Sequence, residues 1–233
     1  MTILAIDTSS RACVLGLRTT EKTWFDETIL DRTHSKEILP RIDALLKSAA
    51  VAKSEIDLIV YGQGPGSFTG LRIGVGVVQG LAFGLDTPVV GVSSLACLAQ
   101  RQWRENGAQH VIVAMTARHT EVYFGAYAVV NNAPNSVLSN IVQLQGREGV
   151  YEAAEIPAQD AKVDWVGVGG GWQLDSLLTQ ASGVTVGHIS LEEYPQAIDL
   201  LDLGEAYAAQ GLAKTAPEAL PEYLREQVAK KLS

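Results

Sequence analysis

The apolar and polar positions predict a run of strands followed by alternating helices and strands. Ile3 to Ile6 is a continuous apolar run, Asp7-Thr8-Ser9-Ser10 has turn chemistry, and Ala12 to Leu17 and Lys22 to Ile29 read as two more strands of an antiparallel meander. A helix is expected from Ser35 to Ala50. It places Ile38, Leu39, Ile42, Leu45, Leu46 and Ala49 on one face and Lys36, Arg41 and Lys47 elsewhere, with Pro40 near its first turn or bending it. Leu58 to Tyr61 reads as a strand, a glycine loop follows, and then a helix, a strand at Val89 to Val92 and a helix from Ser94 to Arg104. The expected order is βββαβαβα.

The glycine segment from Gly62 to Gly76 stands out because it runs into a helical pattern. Leu71, Val75, Val78, Leu81, Ala82 and Leu85 recur at helical spacing, yet Gly70, Gly74, Gly76, Gly80 and Gly84 lie among them. Each interior glycine costs about 1 kcal/mol relative to alanine, so the pattern calls for a compensating contact. At about 100° per residue, Gly70, Gly74, Val77, Gly80, Leu81 and Gly84 share one side and form a groove of small residues that another backbone can approach. Spacing alone leaves two occupants open, the chain's own sheet or a partner. Arg72 and Gln79 interrupt the segment and no run reaches about 18 apolar residues, so a membrane span is not expected.

The second half restarts the pattern. Ile112 to Gly125 aligns without gaps on Ile3 to Gly16 at a constant offset of 109 residues, and Trp165 to Gly171 echoes the strand and glycine loop at Ile59 to Gly66. Ala197 to Ala213 reads as a late helix. Duplication is the economical reading, with the halves at 1–106 and 107–233 meeting near Asn106-Gly107 and facing a shared cleft. Asn131 to Asn135 is a loop by turn chemistry, and the region from Val130 to Gln159 carries no motif.

Composition narrows the partners. The 233 residues are 47% hydrophobic, enough for a sizeable core, and the net charge of −8 lacks the basic field of a nucleic-acid binder. Arg225, Lys230 and Lys231 form a small basic group at the C-terminus that reads as a solvated tail. Cys13 and Cys97 lack CxxC spacing and read as buried small hydrophobes. The opening residues lack the basic region of a secretory signal, which makes the cytoplasm the expected compartment.

Two lobes that each open with strand, turn and strand resemble the actin, Hsp70 and sugar-kinase superfamily. The implied fold class is α/β with duplicated RNase H-like lobes, each a mixed sheet with packed helices. Ile3 to Ser9, His34 to Pro40, Gly64 to Gly74 and Gly91 to Leu95 resemble, in order, the TsaB (YeaZ) family of bacterial glycoprotease-like proteins. Ala117-Arg118, Glu121 to Tyr123, Gly169 to Trp172 and Pro221 to Arg225 extend the match weakly to the C-terminus. The resemblance implies a non-catalytic scaffold that binds the paralogue TsaD and, with the ATPase TsaE, supports N6-threonylcarbamoyl modification of the adenosine beside the anticodon in tRNA. It implies a homodimer when the chain is alone, with tRNA reached through the complex. No cofactor is then required by this chain, and ATP or ADP with Mg²⁺ belongs to the partner interface. By this resemblance the interface falls on the two helices after the meander, at His34, Ile38, Leu39, Ile42, Leu45, Leu46, Gly70, Leu71, Gly74, Val77, Val78 and Leu81. Leucine at Gly70 or Gly74 is expected to abolish the heterodimer and spare the fold. The family's usual aspartate at the second turn is Thr116 here, which argues against nucleotide chemistry within the chain.

The chemistry of individual residues fits a chain without catalysis of its own. Asp7, Thr8 and Ser9 could face a phosphate and a hydrated Mg²⁺, or could instead bond nearby backbone in an ordinary turn. Gly62 to Gly70 precedes a helix N-terminus but is neither a Walker A nor a GxGxxG sequence. His34 pairs at four residues with Ile38, so no zinc pair forms, and it reads as a capping or surface residue. Ser67 lacks a nucleophile elbow and reads as a helix cap. The competing function is an autonomous ATP-dependent phosphotransferase of the sugar-kinase class.

Overall fold

The computed structural model describes residues 1–30, 33–130, 140–191 and 194–224. The meander forms as the alternation requires: β1 (Ile3–Asp7), β2 (Ala12–Arg18) and β3 (Thr23–Ile29) pair antiparallel, while β4 (Leu58–Gly64) and β5 (Val89–Ser93) add in parallel. The first sheet has the order β3-β2-β1-β4-β5. The second, built from β6 (His110–Arg118), β7 (Glu121–Val130), β8 (Ile141–Glu152), β9 (Trp165–Val168) and β10 (Val186–Ser190), has the order β10-β9-β6-β7-β8. Replacing each strand of one half by its counterpart in the other gives the same order, with the same three antiparallel and two parallel members. The lobes are duplicated. Even the glycines at the strand ends match, Gly64 closing β4 at φ +105° and Gly169 just after β9 at φ +104°, a left-handed conformation that favours glycine.

The copies differ where function is expected. α1 (His34–Ala49) and α2 (Phe68–Leu85) cover the outer face of the first sheet, with Ile38, Ile42, Leu45, Leu46, Val75 and Val78 packed on Leu4, Ile6, Leu15 and Leu17. Pro40 sits inside α1 as its seventh residue. On the second sheet only a 3-10 turn, Ala153–Glu155, lies between β8 and β9, and α4 (Asp175–Ser182) is short. Between the sheets, α3 (Ser94–Asn106) packs chiefly on the second and α5 (Ala197–Ala209) on the first, so each half supplies the central helix that covers the other. Two Arg clamps hold them: Arg104 bonds both oxygens of the fully buried Asp199 at 2.8 and 2.9 Å, and Arg18 reaches Asp202 at 2.6 Å and Glu205 at 2.9 Å.

Several boundaries move. The glycine helix starts at Phe68, the late helix stops at Ala209, and the apparently motif-free region contains the 12-residue β8. α2 is long and apolar enough to cross a membrane by length and composition, contrary to the sequence expectation. Its apolar inner face is nevertheless spent on the first sheet. The Asn131–Asn135 loop and the basic group at Arg225, Lys230 and Lys231 lie outside the described residues.

Candidate functional site

A cleft of about 880 Å³ opens between the lobes, lined from the first by Ser9, Ser10, His34 and Ser67 and from the second by Thr116 and Gly170. Asp7, Thr8 and Ser9 are all buried, and of the three only Ser9 lines the cleft. Asp7 turns inward: one carboxylate oxygen accepts from the Ser9 N–H and hydroxyl, both at 2.8 Å, and the other lies without a partner against Gly62, where a Cβ would overlap it. Burial pushes its carboxyl above the ordinary value, while the two Ser9 bonds and nearby His34 pull it down. The Thr8 hydroxyl donates to the Gly70 carbonyl at 2.7 Å, and the Ser67 N–H donates to the Ser9 carbonyl at 2.6 Å. The first turn is thereby stitched to the start of α2, and Ser67 caps that helix by accepting from the Gly70 N–H at 3.2 Å.

The second turn is built differently. β6 and β7 are joined by only two residues, His119 and Thr120, with His119 at φ +49°. Ile112 pairs with Ala126, where the constant offset from Ile3 and Arg18 would require Tyr127, so the second hairpin is one residue shorter. Thr116 is a strand residue and not part of an open loop. Among the described residues no three of His, Cys, Asp and Glu gather to hold a metal ion, and Asp7 faces backbone, so the donors present do not fit a directly bound divalent cation.

The glycine groove divides lengthwise. A Cβ at Gly70 would overlap the Thr8 carbonyl oxygen and one at Gly74 the Thr8 hydroxyl, whereas Gly76, Gly80 and Gly84 have nothing within 4 Å. The groove read from spacing straddles the border of the core: its Gly70 and Gly74 edge is filled by this chain's own first turn, and its Gly80 and Gly84 edge is open. The expectation that leucine at Gly70 or Gly74 spares the fold therefore fails. Of the other interface residues, Ile38, Ile42, Leu45, Leu46, Leu71 and Val78 are core, and Val77 and Leu81 are half-buried. Leu39, at the edge of the buried face of α1, is 52% exposed. His34 is neither cap nor surface residue. It is buried, with Nε2 3.4 Å from the Ala12 carbonyl oxygen. Sequence reasoning missed Phe83, which is 81% exposed one turn beyond Gly80. Its position three residues after Gly80 was the available signal.

A family model described as TsaD, tRNA N6-adenosine threonylcarbamoyltransferase, matches residues 28–232. The tRNA threonylcarbamoyladenosine biosynthesis protein TsaB of Escherichia coli is 37% identical over 98% of this chain and 96% of its own length. This chain belongs to the TsaB family. The TsaB of Haemophilus influenzae is likewise 37% identical, over 98% of this chain and 95% of that protein. The solved structure of YeaZ from Pseudomonas aeruginosa superposes with a TM-score of 0.86 at 39% identity, covering 96% of this chain and 99% of the other. At that coverage the agreement spans both lobes of this TsaB-family chain.

Proposed function

We propose that this chain is a non-catalytic scaffold subunit that docks on TsaD through the open face of α2 and the exposed Leu39 of α1, supporting N6-threonylcarbamoyl modification of the adenosine beside the anticodon in tRNA. Its TsaB relatives are named for tRNA threonylcarbamoyladenosine biosynthesis. The observation that carries the docking reading is the open half of the glycine stripe. Gly76, Gly80 and Gly84 would let a partner helix approach closely, and Phe83 beside them supplies an aromatic anchor of the kind that dominates interface energetics. The inward-turned Asp7 and the tight second turn speak for a subunit that leaves chemistry to its partner. TsaE joins within the complex, and the net charge of −8 supports the reading that tRNA is contacted through the partners. Nucleotide and Mg²⁺ would sit at the partner interface. The same face pairs two copies when the chain is alone, and the cytoplasm is the working compartment.

The test is light scattering after size exclusion of the chain alone and mixed with TsaD of the same organism, followed by transfer assays with each protein omitted. A new complex, with activity lost when either is absent, is expected. Gly80→Leu and Phe83→Asp should lose the complex without lowering the unfolding temperature, and co-elution of both variants with TsaD would overturn the assignment. The second reading, an autonomous phosphotransferase, is favoured by one observation, the cleft of about 880 Å³ beside the N-terminus of α2. ATP turnover by the purified chain alone would revive it.

A further inference from the structure

After α5 the chain returns as a strap, residues 212–224, along α2 and the edge of the first sheet. Val89 and Lys214 exchange backbone bonds of 2.9 and 2.8 Å, and Gln79 Nε2 donates to the Ala219 carbonyl at 2.8 Å. The Tyr61 hydroxyl accepts from the Leu220 N–H at 3.1 Å, and the Glu222 N–H donates to the Gln63 carbonyl at 2.8 Å. Arg72 Nε donates to the Tyr223 hydroxyl at 3.1 Å beside the Phe68 ring.

Under the strap lies a second cavity, of about 380 Å³, walled by Gln63, Ser93, Tyr127, Glu148, Tyr207 and Glu222. β8 is bulged there: Gly149 pairs with Phe124 and Gln145 with Ala126, so Gly146, Arg147 and Glu148 stand opposite Gly125. A bulge re-aims side chains. This one turns Glu148 back over β7, where its carboxyl accepts from the Tyr127 hydroxyl and from Ser93, the N-cap of α3. Glu222 enters from the strap and accepts from Gln63 Nε2 at 2.6 Å. Two carboxylates thus share one cavity. The other ionisable groups around Glu148 are the Cys97 thiol on α3, the Tyr207 hydroxyl on α5, the Tyr127 hydroxyl on β7 and Arg147, whose Nε donates to the Tyr151 hydroxyl at 3.3 Å. Burial pushes the Glu148 carboxyl above its ordinary value, the bonds from Ser93 and Tyr127 oppose this, and Glu222 adds to the rise.

We propose that Glu148 and Glu222 form a proton-operated latch on the strap: with Glu148 protonated the strap seats on Tyr61 and Gln63, and with both carboxylates ionised their repulsion across the cavity favours its release. The seated form is the one with the raised proton affinity, so seating takes up a proton and weakens as pH rises through the titration of Glu148. Because the strap also holds Gln79 and Arg72, the latch sets the order along one flank of α2.

Hydrogen exchange of the full chain between pH 5 and 8, corrected for intrinsic rates and referenced to β1, tests this. Protection of amides 214–224 should fall with rising pH, by up to about tenfold for each unit by which the Glu148 pKa differs between seated and released forms. Glu148→Gln should hold its pH 5 protection at pH 8. Protection that does not change with pH in the natural chain, or that falls equally in Glu148→Gln, overturns the latch. Should Glu148→Gln fail to fold, Glu222→Gln on the strap decides: a flattened dependence supports the latch, and an unchanged one overturns it.

Discussion

A methyl group added at Gly80 and one added at Gly70 should move stability in opposite directions, although both residues lie on the groove read from the sequence. At Gly80 the new Cβ meets nothing within 4 Å on an exposed helix face, so Gly80→Ala gains the propensity difference, about 0.8–1 kcal/mol. At Gly70 it overlaps the Thr8 carbonyl oxygen, which is backbone in a buried turn fixed by the 2.7 Å bond from the Thr8 hydroxyl to Gly70 itself. Neither side can yield by rotating a side chain. Overpacking of this kind costs about 1–3 kcal/mol, and the first-turn position recovers little helix propensity, so a net loss of on the order of 1–2 kcal/mol is expected. Urea unfolding followed by tryptophan fluorescence reads both, with the slope unchanged if only stability moves. For a chain of this size 1 kcal/mol corresponds to about 2–4 °C in the unfolding midpoint. A Gly80→Ala chain less stable than the parent, or a Gly70→Ala chain more stable, would refute the division of the groove. The stabilised Gly80→Ala chain should also bind TsaD more weakly, which separates docking from folding.

Three other outcomes follow from buried groups. Arg104→Ala strands the Asp199 carboxylate and should cost about 3–5 kcal/mol in urea unfolding, with Arg104→Lys recovering part of it. Asp199 is pushed up to about 6 by burial, against the pull of Arg104, so the folded chain keeps a proton that the unfolded chain has released above its ordinary 3.8. Stability from this group therefore falls as pH rises through that window, and calorimetry of Asp199→Asn should lack the slope. Cys13, pushed by burial to about 11, and Cys97, raised well above its ordinary value, should both resist a thiol reagent at pH 8 in the native chain and react once it is unfolded.

The meander, both α/β crossovers and the duplication were legible because each rests on local periodicity. Ile3 to Ile6 and Val89 to Val92 can only be buried strands, and the Ser94 helix follows its own cap. β8 escaped because Ile141–Glu152 is an edge strand with polar residues at Gln143, Gln145, Arg147 and Glu148, and its bulge breaks the alternation that marks a strand. The glycine stripe was half legible. Helical spacing groups Gly70, Gly74, Gly80 and Gly84 on one side, but nothing local tells which edge of that side meets Thr8, a residue 62 positions before Gly70. The inward turn of Asp7 was one of two readings open at the first hairpin, and only the unpartnered carboxylate oxygen against Gly62 separates them.

A duplicated fold would ordinarily carry two equivalent outer surfaces, and in this one only the first sheet carries a pair of long outer helices, for a physical reason. The first repeat inserts the 16-residue α1 between β3 and β4 and the 18-residue α2 between β4 and β5. Two helices on one sheet leave outer surfaces on which Leu39 of α1 and the Gly76, Gly80, Phe83 and Gly84 stripe of α2 are each exposed. The second repeat crosses from β8 to β9 with one 3-10 turn and returns to β10 through the eight-residue α4, so it has no helix pair on which such a stripe could be built. The asymmetry extends to the cleft. The four-residue turn between β1 and β2 is long enough to reach α2 and be stitched to it through Thr8 and Ser9, while the two-residue turn between β6 and β7 stays within its own hairpin. The first turn is thus spent on seating α2. The same contacts that remove Asp7 and Thr8 from the cleft hold α2 in place.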